Sequence, residues 1–594
     1  MSDAIRHRGP DDEGVWVSAN RRTGLAHRRL SILDTSERGH QPMSSSDGRY
    51  TIVFNGEVFD FLELRVELEQ AGIQFRTDTD TEVILEAWRQ WGPDMLLRFN
   101  GMWAFAISDN QTGELFLARD RFGIKPLLYT NNSEHFAFAS EMRALIALPW
   151  LSREMDTNVV ARLMFDAFSV EGSERTYISS IQRLPGGHFA RLRDGKLEVK
   201  RWWRTTDHLV DTPSDPKAQA DRFRELLIDS VRLRMRSDVQ LGTSLSGGFD
   251  SSAIAGVMAY VASDQQSHLR EAKDWRHAFI ASFPGQSNDE TQQALEAAAF
   301  AKVTPHVMAV SNDDALAEID QVLETMDDIY IGLPTAVWQI YREQRRANNI
   351  VSLDGHGADE MMGGYRQSGQ AFNFLFRNLV AGANNRFGGM RGMVDSAKAA
   401  WLSARGLNFL RGHQVAAPAS LDIPADNDPL PREWGMLNRR LYRMFHATVL
   451  PTILRNFDRL SMSHGIEVRM PFMDWRLVTY TMSLPDAAKS SGGLTKLVAR
   501  HALLGLMPDS IRLSPQKIGF NSPMPHWLNG PLHPWVTDVL QKPNAAFEDM
   551  VDSTRLRARV DALHAARKWD WESVGRIWPY IHLKWYLDRR QIGT

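Results

Sequence analysis

The chain has 594 residues, of which 43% are hydrophobic, 24% charged and 10% aromatic. This length predicts two or more domains, and this composition is typical of a soluble globular protein. The 69 basic and 72 acidic residues give a formal net charge of -3, which argues against nucleic acid as the main partner. The sequence has neither an apolar run of membrane-spanning length nor a signal-like start, so we expect a cytoplasmic protein without a membrane partner.

Short strands and two helices are predicted in the first two hundred residues. Apolar and alternating runs predict strands at 49–54, 102–108, 114–118 and 135–139, and helical periodicity predicts helices at 61–71 and 81–91. This mixture favours packed antiparallel sheets covered by helices. Residues 205–217 are typical of a linker. The sequence therefore predicts one domain at 1–204 and a second at 218–594.

The second domain begins with longer helices that alternate with short apolar strands, which predicts a doubly wound α/β sheet. Its first strand, predicted at 238–245, runs into the segment 246–252, Ser-Gly-Gly-Phe-Asp-Ser-Ser, and then into a helix predicted at 253–262. A glycine turn followed by a helix N-terminus directs backbone N–H groups at an anion, and Asp250 suits a divalent cation beside that anion. A glycine pair alone could equally be an ordinary tight connection.

The complete pattern Ser-Gly-Gly-x-Asp-Ser resembles the pyrophosphate loop of the ATP pyrophosphatases. These enzymes split ATP into AMP and pyrophosphate to activate a carboxylate or a carbonyl. The resemblance implies that this chain uses ATP as an adenylating agent, with Asp250 in a catalytic role. It implies an ATP site formed by Leu245, Ser246, Gly247, Gly248, Asp250, Ser251 and Ser252.

Five segments of the N-terminal domain, 6–14, 26–32, 54–57, 78–82 and 118–126, resemble the glutaminase domain of class II glutamine amidotransferases. Within that class the sequence is most similar to the asparagine synthetase B family. The resemblance implies α/β and α+β folds: an antiparallel-sheet sandwich of the N-terminal-nucleophile (Ntn) type, followed by a doubly wound ATP-pyrophosphatase-like domain with many helices. It also implies a glutamine site made of Arg29, Asn55, Gly56, Glu57 and Asp80.

Asn55 and Gly56 suit an oxyanion hole, because a side-chain amide and a backbone N–H can both donate to a developing negative charge. A carboxylate such as Glu57 or Asp80 suits the α-ammonium group of glutamine. Without the resemblance, Asn55–Gly56 could be a hairpin turn.

The family's cysteine nucleophile is the main departure from this resemblance. The family carries it on an N-terminal strand, whereas this sequence starts five residues before the segment at 6–14 and contains no cysteine. Ser2 lies too close to that segment to replace the strand. As written, the chain cannot perform thiol-based glutamine hydrolysis. Either the beginning of the sequence is missing or the domain is kept without glutaminase activity, and the intact pocket residues favour truncation or recent loss.

A second glycine-rich loop is predicted after a strand at 350–353, where α/β sheets bind ligands. It resembles the family's Ser-Gly-Glu-Gly-x-Asp-Glu motif. The resemblance assigns Asp354 and Gly355 to the ATP site, together with Ala281 on a preceding strand. It also implies that Asp359 joins Asp250 in holding Mg²⁺ on the departing pyrophosphate.

Two residues of this loop depart from the family pattern: Asp354 replaces a serine and His356 replaces a glutamate. His356 could act as a general base on an incoming amine, or it could be a neutral loop residue that donates a hydrogen bond. Because of both replacements, the sequence leaves open which carboxylic acid is the substrate.

Further along, Glu467 and Arg469 resemble residues near the family's ammonia path, and a structural salt bridge is the alternative. Segment 515–520 resembles the family's catalytic-lysine loop, and Lys517 would stabilise the negative charge that develops at the α-phosphate. An inserted connection is predicted within residues 367–440.

The leading hypothesis is ATP-dependent amide formation, in which a carboxylic acid, aspartate by default, is adenylated and ammonia or glutamine nitrogen replaces AMP. A second hypothesis keeps this chemistry on another acid, such as a sugar uronate or a natural-product intermediate. A third is a non-catalytic relative that serves as a partner or regulator. The resemblance also admits a homodimer.

Overall fold

The computed structural model describes residues 1–263, 270, 272, 274–286, 289–364, 402, 407–411, 421–516 and 522–590. Most of the predicted insertion within 367–440, and the whole of 517–521 with Lys517, lie outside the described residues. None of the described helices combines the length and apolarity needed to cross a bilayer.

Antiparallel sheets form the N-terminal part of the chain. Its strands are β1 Asp12–Val17, β2 Gly24–Arg29, β3 Met43–Ser44, β4 Tyr50–Val58, β5 Gly101–Asp109, β6 Leu115–Arg119, β7 Leu128–Asn131, β8 Phe136–Ala139, β9 Gln182–Arg183, β10 His188–Arg193 and β11 Lys196–Arg201. The described sheets are β11–β10–β6–β5–β4–β3, β8–β7–β9 and the pair β1–β2. The long β4–β5 pairing, from Tyr50↔Asp109 to Val58↔Gly101, forms the centre of the largest sheet.

Helices cover these sheets because one face of each is apolar. They are α1 Phe61–Gln70, α2 Asp80–Trp91, α3 Met95–Arg98, α4 Met142–Ile146 and α5 Thr157–Phe165. Phe61, Leu64 and Leu68 of α1 are buried at the spacing expected for one helical face. The strands and helices predicted for this region are confirmed, with end points shifted by a few residues.

A parallel sheet forms the centre of the C-terminal part. Its strands are β12 Leu241–Ser244, β13 His277–Ser282, β14 Thr304–Ala309, β15 Val351–Leu353 and β16 Glu467–Arg469, in the order β14–β13–β12–β15–β16. A small hairpin follows with β17 Ser490–Ser491 and β18 Leu494–Thr495. The chain moves outwards from β12 to β14 and then returns to the other side of β12, so the strand order reverses between β12 and β15. Ligands of doubly wound sheets bind outside the carboxyl ends of the strands at such a point.

Helices pack around the parallel sheet. They are α6 Pro216–Arg234, α7 Phe249–Ser263, α8 Thr291–Ala301, α9 Asn312–Met326, α10 Thr335–Arg346, α11 Ala358–Met362, α12 Met436–His446, α13 Val449–Met462, α14 Trp475–Ser483, α15 Asp486–Lys489, α16 Leu497–Ala502, α17 Asp509–Arg512, α18 Met524–Leu528, α19 His533–Gln541, α20 Ala545–Met550, α21 Ser553–Ala565 and α22 Trp571–Arg590.

Two predicted boundaries around β12 are corrected by the structure. The strand is shorter than predicted because Asp238 instead binds the backbone N–H of Asp34 at 2.7 Å and the guanidinium of Arg270 at 2.8 Å. The following helix starts earlier than predicted, because Ser252 N already donates to Gly248 O. The predicted linker is also shorter, since α6 begins at Pro216.

Buried ion pairs join the two parts of the chain. The Arg8 guanidinium donates to Asp458 at 2.7 and 3.1 Å and to Glu141 at 2.9 Å. Asn100 donates to Asp474 at 2.8 Å, and both side chains are buried. Hydrogen-bonded charges of this kind fix one relative orientation, because each would be costly if it were left unpaired.

Candidate active sites

The loop after β12 has the geometry predicted for a phosphate loop. Gly247 has a φ of +77°, and an added Cβ would lie 2.8 Å from both Ala294 N and Glu290 O, so this position requires glycine. Leu245 N donates to Phe279 O at 2.9 Å, which ties the loop to β13. The backbone therefore turns tightly at the carboxyl end of the sheet and leads directly into the N-terminus of α7.

Serine hydroxyls hold the inside of this loop. Ser251 Oγ accepts from Ser246 N at 3.2 Å, and Ser246 Oγ accepts from Gly248 N at 3.3 Å. The side chains of Leu245 and Ser252 are buried, each with 1% exposure, and Ser252 Oγ has no hydrogen-bond partner among the described residues. The predicted ATP contacts of this segment stay predictions.

Two carboxylates from distant loops meet at one ammonium group. Lys496 Nζ lies 2.6 and 2.7 Å from the two oxygens of Asp250 and 2.5 Å from Asp359 Oδ1. The lysine side chain is 4% exposed, and its backbone has a φ of +58° between β18 and α16. Asp250 and Asp359 are therefore close enough to share a single cation, and their predicted binding of Mg²⁺ stays a prediction.

Sequence reasoning missed Lys496. No motif marks it, since a lysine between a Gly-Gly hairpin and a short helix usually projects into solvent. Lys517, the lysine that the resemblance selects, lies outside the described residues.

The pair Asp250 and Asp359 suits Mg²⁺, which usually takes one or two carboxylates and completes its shell with phosphate oxygens and water. Among the described residues, no group of three or more His, Cys, Asp or Glu side chains forms a complete protein metal site. Two carboxylates are a donor set that fits an ion arriving with phosphate oxygens.

The carboxyl end of β15 carries a satisfied polar network around Asp354. Asp354 Oδ1 accepts from Ser352 Oγ at 2.7 Å and from Ser244 N at 3.2 Å, and Oδ2 accepts from Tyr341 OH at 2.8 Å. His356 Nε2 lies 3.7 Å from Oδ2. Although burial opposes it, His356 and these hydroxyls hold the pKa of Asp354 below its usual value.

Ala281 and Gly355 lie at the same edge of the sheet. Ala281 is next to the last residue of β13 and pairs in register with Met308. An added Cβ on Gly355 would lie 2.7 Å from the backbone of Asp250, so the two loops are in close contact. The predicted adenine contact of Ala281 and ATP contact of Gly355 are not tested by these distances.

A separate cleft of about 850 Å³ lies in the N-terminal part and reaches the other domain at Glu467. All the residues predicted to bind glutamine line it: Arg29, Asn55, Gly56, Glu57 and Asp80. The hairpin interpretation of Asn55–Gly56 is wrong, because both residues lie inside β4 and pair with Ala104 and Trp103.

Gly56 brings the cleft wall close to the neighbouring strand. Its φ is +139°, and an added Cβ would lie 2.0 Å from Met102 O. Nearby, the Arg29 guanidinium donates to the carbonyls of Ser36 at 2.9 Å and Leu33 at 3.2 Å, so it braces the loop that follows β2.

Asp80 is positioned by a helix cap. Thr79 accepts from Glu82 N at 3.2 Å at the start of α2, and Asp80 Oδ2 then accepts from Val58 N at 3.0 Å. Burial raises the pKa of Asp80 to about 7. This carboxyl group therefore changes charge within the physiological pH range.

Arg469 links the cleft to the synthetase part. It is fully buried and pairs with Glu57 and with Glu467, the latter at 2.9 Å, and it donates to Arg234 O at 2.9 Å. Burial raises the pKa of Glu57 well above its usual range, although Arg469 opposes this. The salt-bridge interpretation of Glu467 and Arg469 is confirmed, and their part in an ammonia path stays a prediction.

Comparison with known proteins agrees with this division. Residues 1–203 match the model of the glutamine amidotransferase domain, and residues 222–587 match that of asparagine synthase. Asparagine synthetase (glutamine-hydrolyzing) 1 of Bacillus subtilis (strain 168) is 30% identical over 566 residues, which cover 91% of this chain and 86% of that protein. Asparagine synthetase (glutamine-hydrolyzing) 3 of the same organism is 28% identical over 96% of this chain and 91% of its own length.

The antiparallel N-terminal sheets, the phosphate-type loop on a parallel sheet and these matches define a carbon–nitrogen ligase with a glutamine amidotransferase domain. The chain belongs to the asparagine synthetase B family. The predicted fold class is confirmed. The names of these relatives do not favour a non-aspartate acid.

Proposed function

We propose that this chain adenylates a carboxylic acid with ATP, aspartate by default, and converts the acyl-adenylate into an amide, with AMP and pyrophosphate as the other products. The observation that carries this proposal is the convergence of Asp250, Asp359 and Lys496 beside the glycine loop. A scaffold or regulatory protein has no need of two partly buried carboxylates and a buried ammonium group beside a phosphate loop.

In the first step a substrate carboxylate oxygen attacks the α-phosphate, and pyrophosphate leaves with the electron pair of the broken P–O bond. The loop backbone from Ser246 to Gly248 orients the phosphates, and the ammonium of Lys496 offsets the charge that develops on the leaving group. Asp250 and Asp359 would hold Mg²⁺, which neutralises phosphate oxygens when bound.

In the second step ammonia attacks the acyl carbon and AMP leaves. We assign the cleft at Asp80 and Glu57 to glutamine, because the buried carboxyl groups that line it suit an α-ammonium group when they are ionised. Arg469 then connects this cleft to the synthetase site through Glu57 and Glu467. Lys517 remains a second candidate for charge stabilisation, on resemblance alone.

A pyrophosphate-release assay with ATP, Mg²⁺ and ammonium chloride tests this function, with and without aspartate. We expect release that requires aspartate and yields asparagine. Release only with another acid would replace the substrate but keep the chemistry. An absence of ATP binding and of release with every acid would overturn the proposal in favour of a non-catalytic role.

A further inference from the structure

The hydrogen bonds of Asp354 leave it little capacity to bind ATP, although resemblance places it in the ATP site. The carboxylate is 3% exposed, and Ser352, Ser244 and Tyr341 occupy three of its four acceptor positions. These partners come from β15, β12 and α10, so the carboxylate is fixed against the centre of the sheet. The remaining acceptor position belongs to Oδ2, the oxygen that lies 3.7 Å from His356 Nε2.

His356 is confined between this carboxylate and an aromatic ring. Its ring centroid lies 3.8 Å from that of Phe457 on α13, and its Nε2 is buried without a hydrogen bond to any described residue. The side chain is 20% exposed, so the imidazole is accessible in part. It precedes Asp359 by three residues along the chain, and its neighbour Gly355 lies against the backbone of Asp250.

The distance of 3.7 Å is an ionic contact that a small side-chain movement would convert into a hydrogen bond. Such contacts are often long in a site without its substrate and shorten in the substrate complex. A carboxylate that accepts a hydrogen bond from Nε2–H leaves Nδ1 with its lone pair free, and it stabilises the imidazolium that forms when Nδ1 takes up a proton. The replacements at 354 and 356 are therefore chemically coupled in this chain.

We propose that Asp354 is a positioning residue, which holds His356 as the base that accepts the proton of the attacking amine. The inference rests on the proposed function and concerns its second step. The ammonia nitrogen forms a bond to the acyl carbon, the bond between that carbon and the phosphate oxygen breaks, and AMP leaves with the electron pair. The surplus proton on nitrogen passes to His356 and then to solvent.

Separate assays of the two half-reactions test this role in the full-length chain. Aspartate-dependent exchange of pyrophosphate into ATP reports adenylation, and asparagine formation with saturating ammonium chloride reports the amine step. For His356→Gln we expect amide formation to fall about 100-fold while exchange stays within about threefold. For Asp354→Asn we expect about a tenfold loss of the amide kcat with little change in the KM for aspartate.

The double variant distinguishes positioning from an independent role. Because Asp354 acts through His356, His356→Gln with Asp354→Asn should be no slower than His356→Gln alone. A matched control is Asp428→Asn, since Asp428 is also buried, binds the hydroxyl of Tyr442 and pairs with Arg201, but lies outside both candidate sites. This control should leave the ratio of amide formation to exchange unchanged.

Three results would overturn the inference. Equal losses of exchange and amide formation would make Asp354 and His356 part of the adenylation site. Additive losses in the double variant would show that the two residues act independently. Amide formation by His356→Gln at the unaltered rate would show that His356 is not the base. If Asp354→Asn does not fold, Asp354→Ser and the single His356 variant give the same comparison. Absence of exchange in the unaltered chain with every acid would instead overturn the proposed function, and this role with it.

Discussion

The candidate glutamine cleft and the candidate phosphate-loop site differ in the state of their charged groups. In the cleft, Arg469 pairs with Glu57 and Glu467, and burial raises the pKa of Glu57 and of the nearby Asp80, so a cationic ligand would be needed to favour the charged form of these two carboxyl groups. At the phosphate loop, the ammonium of Lys496 is shared by Asp250 and Asp359. The first arrangement suits a cationic ligand group, whereas the second suits polyphosphate that arrives with a metal ion.

The largest expected effect on activity concerns Lys496 in the phosphate-loop site. Lys496→Ala should lower aspartate-dependent exchange of pyrophosphate about 1,000-fold, because charge on the leaving pyrophosphate loses its fixed cation. Lys584→Met is the control, since Lys584 is also buried and paired with an aspartate, Asp588, but lies on α22. Exchange by Lys496→Ala at the unaltered rate would show that the ammonium only balances the two carboxylates.

The carboxylates of the same site should give the next largest effect. Asp250→Asn and Asp359→Asn should each lower exchange about 100-fold and raise the Mg²⁺ concentration needed for half-maximal rate, because each removes one hard oxygen ligand. A Mg²⁺ titration of the exchange rate measures this. Asp156→Asn, which alters a helix cap far from the loop, serves as control. An unchanged Mg²⁺ requirement in both variants would contradict the shared-ion assignment.

The role of Asp80 in the cleft can be tested by measuring glutamine binding. Because the pKa of Asp80 is raised to about 7, the carboxylate that suits an α-ammonium group is lost as the pH falls through 7. Calorimetry should show glutamine affinity falling up to tenfold per pH unit below 7. Asp80→Asn should bind at least about tenfold more weakly at pH 8, with no such pH dependence.

Glu86→Gln is the matched control for this measurement, because Glu86 is buried on the same helix but pairs with Arg89. It should keep both the affinity and the pH dependence of the unaltered chain. A pH-independent affinity in the unaltered chain would remove Asp80 from the glutamine site.

The smallest expected effect concerns stability. A carboxyl group whose pKa is raised in the folded state binds more protons there than in the unfolded chain between its two pKa values. The stability contributed by the neutral Asp80 is therefore full below about pH 4 and is lost as the pH rises through about 7. A rise in the pKa of Asp80 from 3.8 to about 7 changes the free energy of unfolding by at most about 4 kcal/mol.

Thermal melting from pH 4 to 8 measures this term. The unaltered chain should lose melting temperature relative to Asp80→Asn as the pH rises, since the amide cannot ionise. Parallel melting curves for the two proteins across this range would show that Asp80 keeps the same pKa in both states.

The two sites also differ in how far the sequence could reveal them. The residues of the cleft fall within a short stretch from Arg29 to Asp80, where local motifs mark each one, and all of them line the same cleft. Lys496 is 246 residues from Asp250, and nothing local marks it. Resemblance places Asp354 in the ATP site, which stays a prediction, and no local motif indicates its hydrogen bonds to Ser352, Ser244 and Tyr341.

The sequence by itself determined the strand and helix pattern, the glycine loop, the absence of cysteine and the family, because these depend on local residue types and their spacing. Only the tertiary structure decided which charged side chains share one site. Electrostatic partners are selected by distance in space. The short hairpin of β17 and β18 places Lys496 next to carboxylates from two loops at the carboxyl ends of the parallel strands. No residue spacing along the sequence indicates that Lys496, Asp250 and Asp359 lie together.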